Sequence, residues 1–126
     1  MHRVTGVGGV FFKSKDPQAL YAWYKQHLGI DFHPQGGGMF RWADDGDAEA
    51  CTAWSIFKAD TKYFGDGPQT FMLNLRVENL DELMDELGKA GVWIDPKRDD
   101  HEYGRFAWIR DLDGNRIELW EPKRTK

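Results

Sequence analysis

The chain has a single cysteine, almost no clustering of basic residues outside Lys123, Arg124 and Lys126, and no long apolar run. Each shortage excludes something. Cys51 has no partner for an internal disulfide, and no His or Cys lies near enough in sequence to make it an obvious catalytic or zinc-binding thiol, so it reads as a small buried side chain. A net charge of -4 offers phosphate backbones no long-range attraction, and nucleic acid is not an expected partner. No segment approaches the roughly 20 apolar residues of a membrane span, and the N-terminus lacks the charged-then-apolar order of a secretory leader. No membrane partner is expected, and the expected location is the cytoplasm.

What is abundant is aromatic. Six Trp and eight Phe in 126 residues are more than an ordinary domain of this length carries, whereas 40% hydrophobic and 30% charged residues are unremarkable. The length suits one domain, residues 1–126, large enough to bury a core.

Residues Val7 to Lys13 read as a strand. Asp16 then offers an N-cap, Pro17 a first helical position, and Leu20, Trp23, Tyr24 and Leu28 a helical stripe that stops at Gly29. Ile30 to His33, Met39 to Trp42 and Thr52 to Phe57 read as three further strands. The order repeats in the second half. It runs from strand Phe71 to Val77, capping Asn79 and helix Leu80 to Ala90 ending at Gly91, to a short strand Val92 to Asp95. Strands Arg105 to Arg110 and Arg116 to Trp120 follow, around the turn at Asp111 to Asn115. A shift of 63 residues, half the chain, carries Asp16 onto Asn79 and Leu28 onto Gly91. The expected fold is therefore α+β: one βαβββ module over about 5–58, a linker over about 59–69 and a second module over about 70–122. Matched halves suggest duplication.

Two strings, VGGVFFKSKDPQALYAWYKQHLGI near the start and FAWIRDLDGNRIELWEP near the end, resemble the glyoxalase/bleomycin resistance/dioxygenase (vicinal oxygen chelate) superfamily. The resemblance spans nearly the whole chain. It implies two βαβββ modules forming a curved eight-stranded mixed sheet around a cup, with helices outside, often completed in a homodimer. It also implies one of several activities: metal-dependent isomerases, lyases and dioxygenases, thiol transferases, or metal-free proteins that sequester a drug. Fold alone does not choose among them.

Side chains alternate across a strand, so the cup residues can be separated from those facing the helices. Ala107, Ile109, Ile117 and Leu119 make an apolar face for helix packing. Phe106, Trp108, Glu118 and Trp120 take the other side. The apolar set Phe71, Leu73, Leu75 and Val77 likewise faces the helices, leaving Met72, Asn74 and Arg76 for the cup. Matching WSIF to the IELW of the closing strand adds Ser55 and Phe57, and the first strand contributes Phe11 and Lys13. These eleven residues are the expected ligand-binding set.

The superfamily's metal ligands are usually His or Glu at four related strand positions, which fall here on Gly9, Ser55, Met72 and Glu118. Only Glu118 is a good donor for a divalent ion. The expectation is no metal and no other cofactor, with a planar or amphipathic small molecule held by aromatic walls. The alternative is a metal-dependent enzyme that joins Glu118 to unusual groups such as His101 or His33. Glu118 is also the one catalytic candidate, as a general acid or base with Tyr103 or Lys13 as nearest partner, but an ion pair with Arg116 or Arg76 is favoured for it. His101 sits in a charged loop, 97–104, able to fold over the cup.

Overall fold

A computed structural model describes residues 10–34, 37–53 and 55–123. Helix α1 spans Pro17–Leu28, strand β1 Leu73–Arg76, helix α2 Leu80–Lys89, and strands β2, β3 and β4 span Ile94–His101, Gly104–Arg110 and Arg116–Pro122. The strands form one mixed sheet in the order β1-β4-β3-β2, with β1 parallel to β4 and the other pairs antiparallel.

Both helices start and stop where local chemistry says they should. The Asp16 carboxylate accepts from the Ala19 amide at 3.1 Å, Pro17 takes the first turn, and Gly29 closes α1 at φ 69°. In α2 the Asn79 side chain accepts from the Glu82 amide at 3.2 Å and donates to the Glu82 carboxylate at 3.1 Å. A second acceptor comes from the sheet: Glu121 Oε1 takes the Leu80 amide at 2.7 Å, satisfying one of the orphan donors of the first turn.

The core lies between helices and sheet. Leu20 and Tyr24 of α1 and Leu80 and Leu87 of α2 pack on Ala107, Ile109, Ile117 and Leu119, each large aliphatic side chain contributing roughly 1.5–3 kcal/mol on burial. Tyr24 also fastens α1 to the β3–β4 turn, donating to Asp111 Oδ2 at 2.8 Å. Asp111 in turn accepts from the amides of Asp113 and Asn115 and from the Asn115 side chain. Burial first, and then the carboxylate of Asp111, push the Tyr24 hydroxyl well above the ordinary tyrosine range.

Several expectations need correction. Every described strand belongs to the second half of the chain. Residues 10–13 form no strand, while 7–9 lie outside the described residues; Ile30 to His33 is reduced to a bridge between Phe32 and Gly38. Met39 to Trp42 runs into a 3-10 turn at Trp42–Asp45, and the described part of Thr52 to Phe57 is irregular. Alternation reports which segments could pair, whereas pairing needs a ladder edge and a buried face. Met39, Phe40 and Trp42 have neither, being 77%, 72% and 72% exposed. Cys51, on the same stretch, is exposed rather than buried. Phe71 is 41% exposed, pairing with Phe12 rather than joining the core.

The opposite correction applies to Val92 to Asp95. The short strand extends to His101, so the expected 97–104 loop is mostly β2. Pro96 sits there because β2 is an edge strand whose register shifts between Ile94 and Arg98, leaving room for a residue without an amide hydrogen. The charges of Lys97 to Asp100 also blunt that edge against further pairing.

Candidate functional site

The face of the sheet turned away from the helices carries two cross-strand rows. Register places Asn74, Glu118 and Trp108 side by side on β1, β4 and β3, with Arg76, Trp120 and Phe106 in the adjoining row. The even-numbered residues of β3, β4 and β1 thus share one face because their odd-numbered neighbours are taken by the core.

Glu118 is only 6% exposed and is held entirely by uncharged donors. Asn74 Nδ2 donates to Oε1 at 2.6 Å, Trp108 Nε1 donates to Oε2 at 3.0 Å, and the Tyr63 hydroxyl donates to Oε2 as well. Tyr63 is fixed in turn by stacking on Phe57, with centroids 5.4 Å apart, and by standing edge-on to Trp108 at 5.8 Å. Burial and the adjacent carboxylate push its hydroxyl above the ordinary tyrosine range, so it remains a donor at every physiological pH.

The expected ion pair of Glu118 with an arginine is replaced by these contacts. Arg76 turns to Asp45 at 3.0 Å and Asp47 at 3.7 Å, and Arg116 to Asp95 at 2.9 Å. Acidic residues from the 42–47 turn and from β2 compete for the arginines, while three neutral donors fill the carboxylate. Tyr103 and Lys13 have other surroundings. The Tyr103 carbonyl accepts from Trp120 Nε1 at 2.9 Å, and Lys13 lies near Asp113 and Asn115 at the β3–β4 turn.

The adjoining row is an aromatic stack. Phe106 and Trp120 lie nearly parallel with centroids 6.1 Å apart, His101 stacks on Phe106 at 4.8 Å, and the Arg76 guanidinium sits 5.9 Å from the Trp120 ring centre. His101 is thus a wall of this stack, its Nδ1 taken by the Tyr103 amide at 3.3 Å.

Of the expected ligand-binding residues, Asn74, Arg76, Phe106, Trp108, Glu118 and Trp120 come together on this face, and Phe57 joins them through Tyr63. Met72 is half-buried beside β1, Ser55 is exposed, and Phe11 is 95% exposed. Sequence reasoning missed Tyr63. It sits in the irregular 58–69 connection, where no periodicity assigns a face; its one signal is the aromatic pair Tyr63 and Phe64 in an otherwise polar stretch.

The four superfamily ligand positions do not fit a divalent ion. Gly9 lies outside the described residues and has no side chain to offer, Met72 offers a thioether, and Ser55 stands exposed on an unpaired segment. Glu118 has both oxygens engaged by donors that an ion would have to displace. Among the described residues no three His, Cys, Asp or Glu side chains converge to hold an ion.

A family profile described as Glyoxalase/Bleomycin resistance protein/Dioxygenase superfamily matches residues 8–119. The chain belongs to this superfamily. The two α-helices and four-stranded mixed sheet of the described residues match the vicinal oxygen chelate type of fold. Solved structures agree. A glyoxylase/bleomycin resistance protein/dioxygenase domain from Frankia sp. EAN1pec superposes with TM-score 0.59 at 19% identity, covering 96% of this chain and 100% of that one. TnmS3, an antibiotic binding protein from Streptomyces sp. CB03234, gives TM-score 0.55 at 23% identity over 86% of this chain and 88% of its own. TioX from Micromonospora sp. ML1 gives 0.52 at 18% over 87% and 93%. At such identities the likeness is one of fold. No curated protein matches the chain.

Proposed function

We propose that this superfamily member binds a planar or amphipathic small molecule on the aromatic face of its sheet without a metal ion, as the superfamily's sequestering proteins do. The observation that carries the reading is the state of Glu118. The one good donor among the superfamily's ligand positions is saturated by Tyr63, Asn74 and Trp108, beside stacked rings suited to a flat partner. Stacking adds roughly 0.5–1.5 kcal/mol per well-placed ring to what burial of a flat apolar body supplies. The antibiotic binding described for the structural neighbour TnmS3 supports the same reading.

The complete cup of this reading has eight strands from two βαβββ modules, and the protein acts as a homodimer. Phe11, Phe40, Trp42 and Ile56, exposed by 95%, 72%, 72% and 90%, support this, because apolar side chains of that size favour burial against a second copy. Light scattering then returns twice the chain mass at micromolar concentration, and a monomer at all concentrations refutes the dimer.

Isothermal titration with a set of planar aromatic compounds, before and after EDTA, tests the binding itself. The expected result is saturable one-site binding that chelation leaves unchanged. Binding that chelation abolishes, together with one divalent ion per chain by elemental analysis, overturns the proposal.

A further inference from the structure

Next to Glu118, beyond Trp108, the same face opens into a cavity of about 310 Å³ between the 62–66 loop and strands β2 to β4. This lies at the small end of the roughly 300–1,000 Å³ typical of ligand pockets, well above what an inorganic ion needs. Its charge is opposite to that of the protein. Lys62, Lys97, Arg110 and Arg116 line it against Asp66 and Asp95 alone, in a chain of net charge -4.

The cations are held in place by rings. The Arg110 guanidinium lies 4.2 Å from the centre of Trp93, and Lys97 Nζ and the Arg116 guanidinium lie 5.5 and 5.4 Å from that of Trp108. Arg116 is 9% exposed, and although its Nη1 pairs with Asp95 at 2.9 Å, its Nε is buried with no hydrogen-bond partner. Lys62 and Arg110 have no ion-pair partner among the described residues. Lys97 reaches Asp99 only at 3.9 Å, and two cations without ion-pair partners, backed by the buried Arg116 guanidinium, leave the cavity short of an anion.

We infer that this cavity seats the anionic group of a small aromatic acid, so that the molecule bound on the aromatic face is a carboxylate or an equivalent anion. The inference rests on that face being the binding face and adds the class of ligand. The acid's oxygens take the free donors of Arg110 and Lys62, with the buried Arg116 charge behind them, and its ring extends from the cavity past Trp108 toward the stacked row. An amide of the same shape offers one carbonyl acceptor and no charge, so it answers those donors only in part, and discrimination between acid and amide is the signature.

Isothermal titration with 2-naphthoate and with 2-naphthamide, an uncharged near-isostere, tests it. The acid is expected to bind at least tenfold more tightly, and 0.5 M salt is expected to erode that margin. Because Arg116 also holds Asp95 and Lys97 reaches Asp99, the variants of choice are Arg110→Gln and Lys62→Gln, at exposed positions. Each should lower the acid's affinity several-fold and the amide's by much less. Equal affinity for acid and amide overturns the anion site while leaving the aromatic-face reading standing. Tighter binding of 2-naphthylmethylammonium than of the acid overturns it too. If no aromatic compound of any charge binds, both readings fall together.

Discussion

Replacing Glu118 by leucine keeps the side chain close in volume and removes the acceptor from three donors at once. The loss is unequal among them. Trp108 is 1% exposed, so its indole N–H has no route to water and carries the full cost of an unmet buried donor, about 1–3 kcal/mol. Tyr63 is half-buried and Asn74 exposed; both can turn to solvent and lose only the net value of a hydrogen bond to a charged group. Removing a buried carboxylate also relieves its own desolvation, which offsets part of the loss. The balance is a destabilisation of about 2–4 kcal/mol. Glu118→Gln should cost about 1 kcal/mol or less, since its oxygen can still serve Tyr63 and Trp108 while an amide flip at Asn74 presents an acceptor to its nitrogen. Adding Tyr63→Phe to Glu118→Leu should cost almost nothing further, because a Tyr63 hydroxyl that has turned to solvent no longer bonds within the protein. Equilibrium urea unfolding followed by tryptophan fluorescence, with m-values compared across the four proteins, measures all of this. A leucine variant as stable as the parent, or a glutamine variant as damaged as the leucine one, would refute the claim that neutral donors hold this carboxylate.

Tyr24→Phe leaves a 5% exposed ring in the core but deletes its bond to Asp111, and urea unfolding should show a loss of about 1–2 kcal/mol. Gly104→Ala should be worse, about 2–3 kcal/mol, because Gly104 has φ 128° and an added Cβ would collide with the Glu121 carbonyl; a neutral outcome would contradict the closeness of β3 and β4 there. The Asp95 carboxyl is held below its ordinary value of 3.8, chiefly by the Lys97 amide and also by Arg116. A carboxyl depressed in the folded state adds stability that is complete above the unfolded value and is lost as pH falls through the folded one. Stability measured from pH 6 down to pH 2 should therefore decline through the carboxyl range, and Asp95→Asn should flatten that decline; an unchanged slope would show that Asp95 does not contribute.

The helices and the β3–β4 hairpin were legible because their signals are local. Asp16 and Pro17 open α1 and Gly29 ends it within one segment, and the alternation of Phe106 to Arg110 and Arg116 to Trp120 assigns two faces without outside information. Strand β2 was hidden by its own edge chemistry: Pro96 and the charges after it imitate a loop, although the alternation of Trp93, Asp95 and Lys97 toward the cavity was present. The partners of Glu118 were illegible for a different reason. Which arginine pairs with which carboxylate depends on all the acids within reach, and the competitors of Arg76 come from residues 45 and 47, about 30 positions away. Tyr63 reaches Glu118 from an irregular connection, a placement set by packing on Phe57 and Trp108 rather than by local pattern.

That Glu118 is balanced by neutral donors has a consequence for the whole face. An arginine at Glu118 would cancel its charge and leave the middle of the sheet electrically quiet. Instead the negative charge stays fixed between two unlike ends, the stacked row of Trp120, Phe106 and His101 on one side and the cations lodged against Trp93 and Trp108 on the other. An amphipathic ligand lying along the face would meet apolar rings, then the field of a buried carboxylate that repels charge of the same sign, then the cations of the cavity. Orientation follows from that order. On the proposed reading a flat body stacks on the rings and an acidic end reaches past Trp108, whereas the reverse placement costs both the stacking and the ion pair.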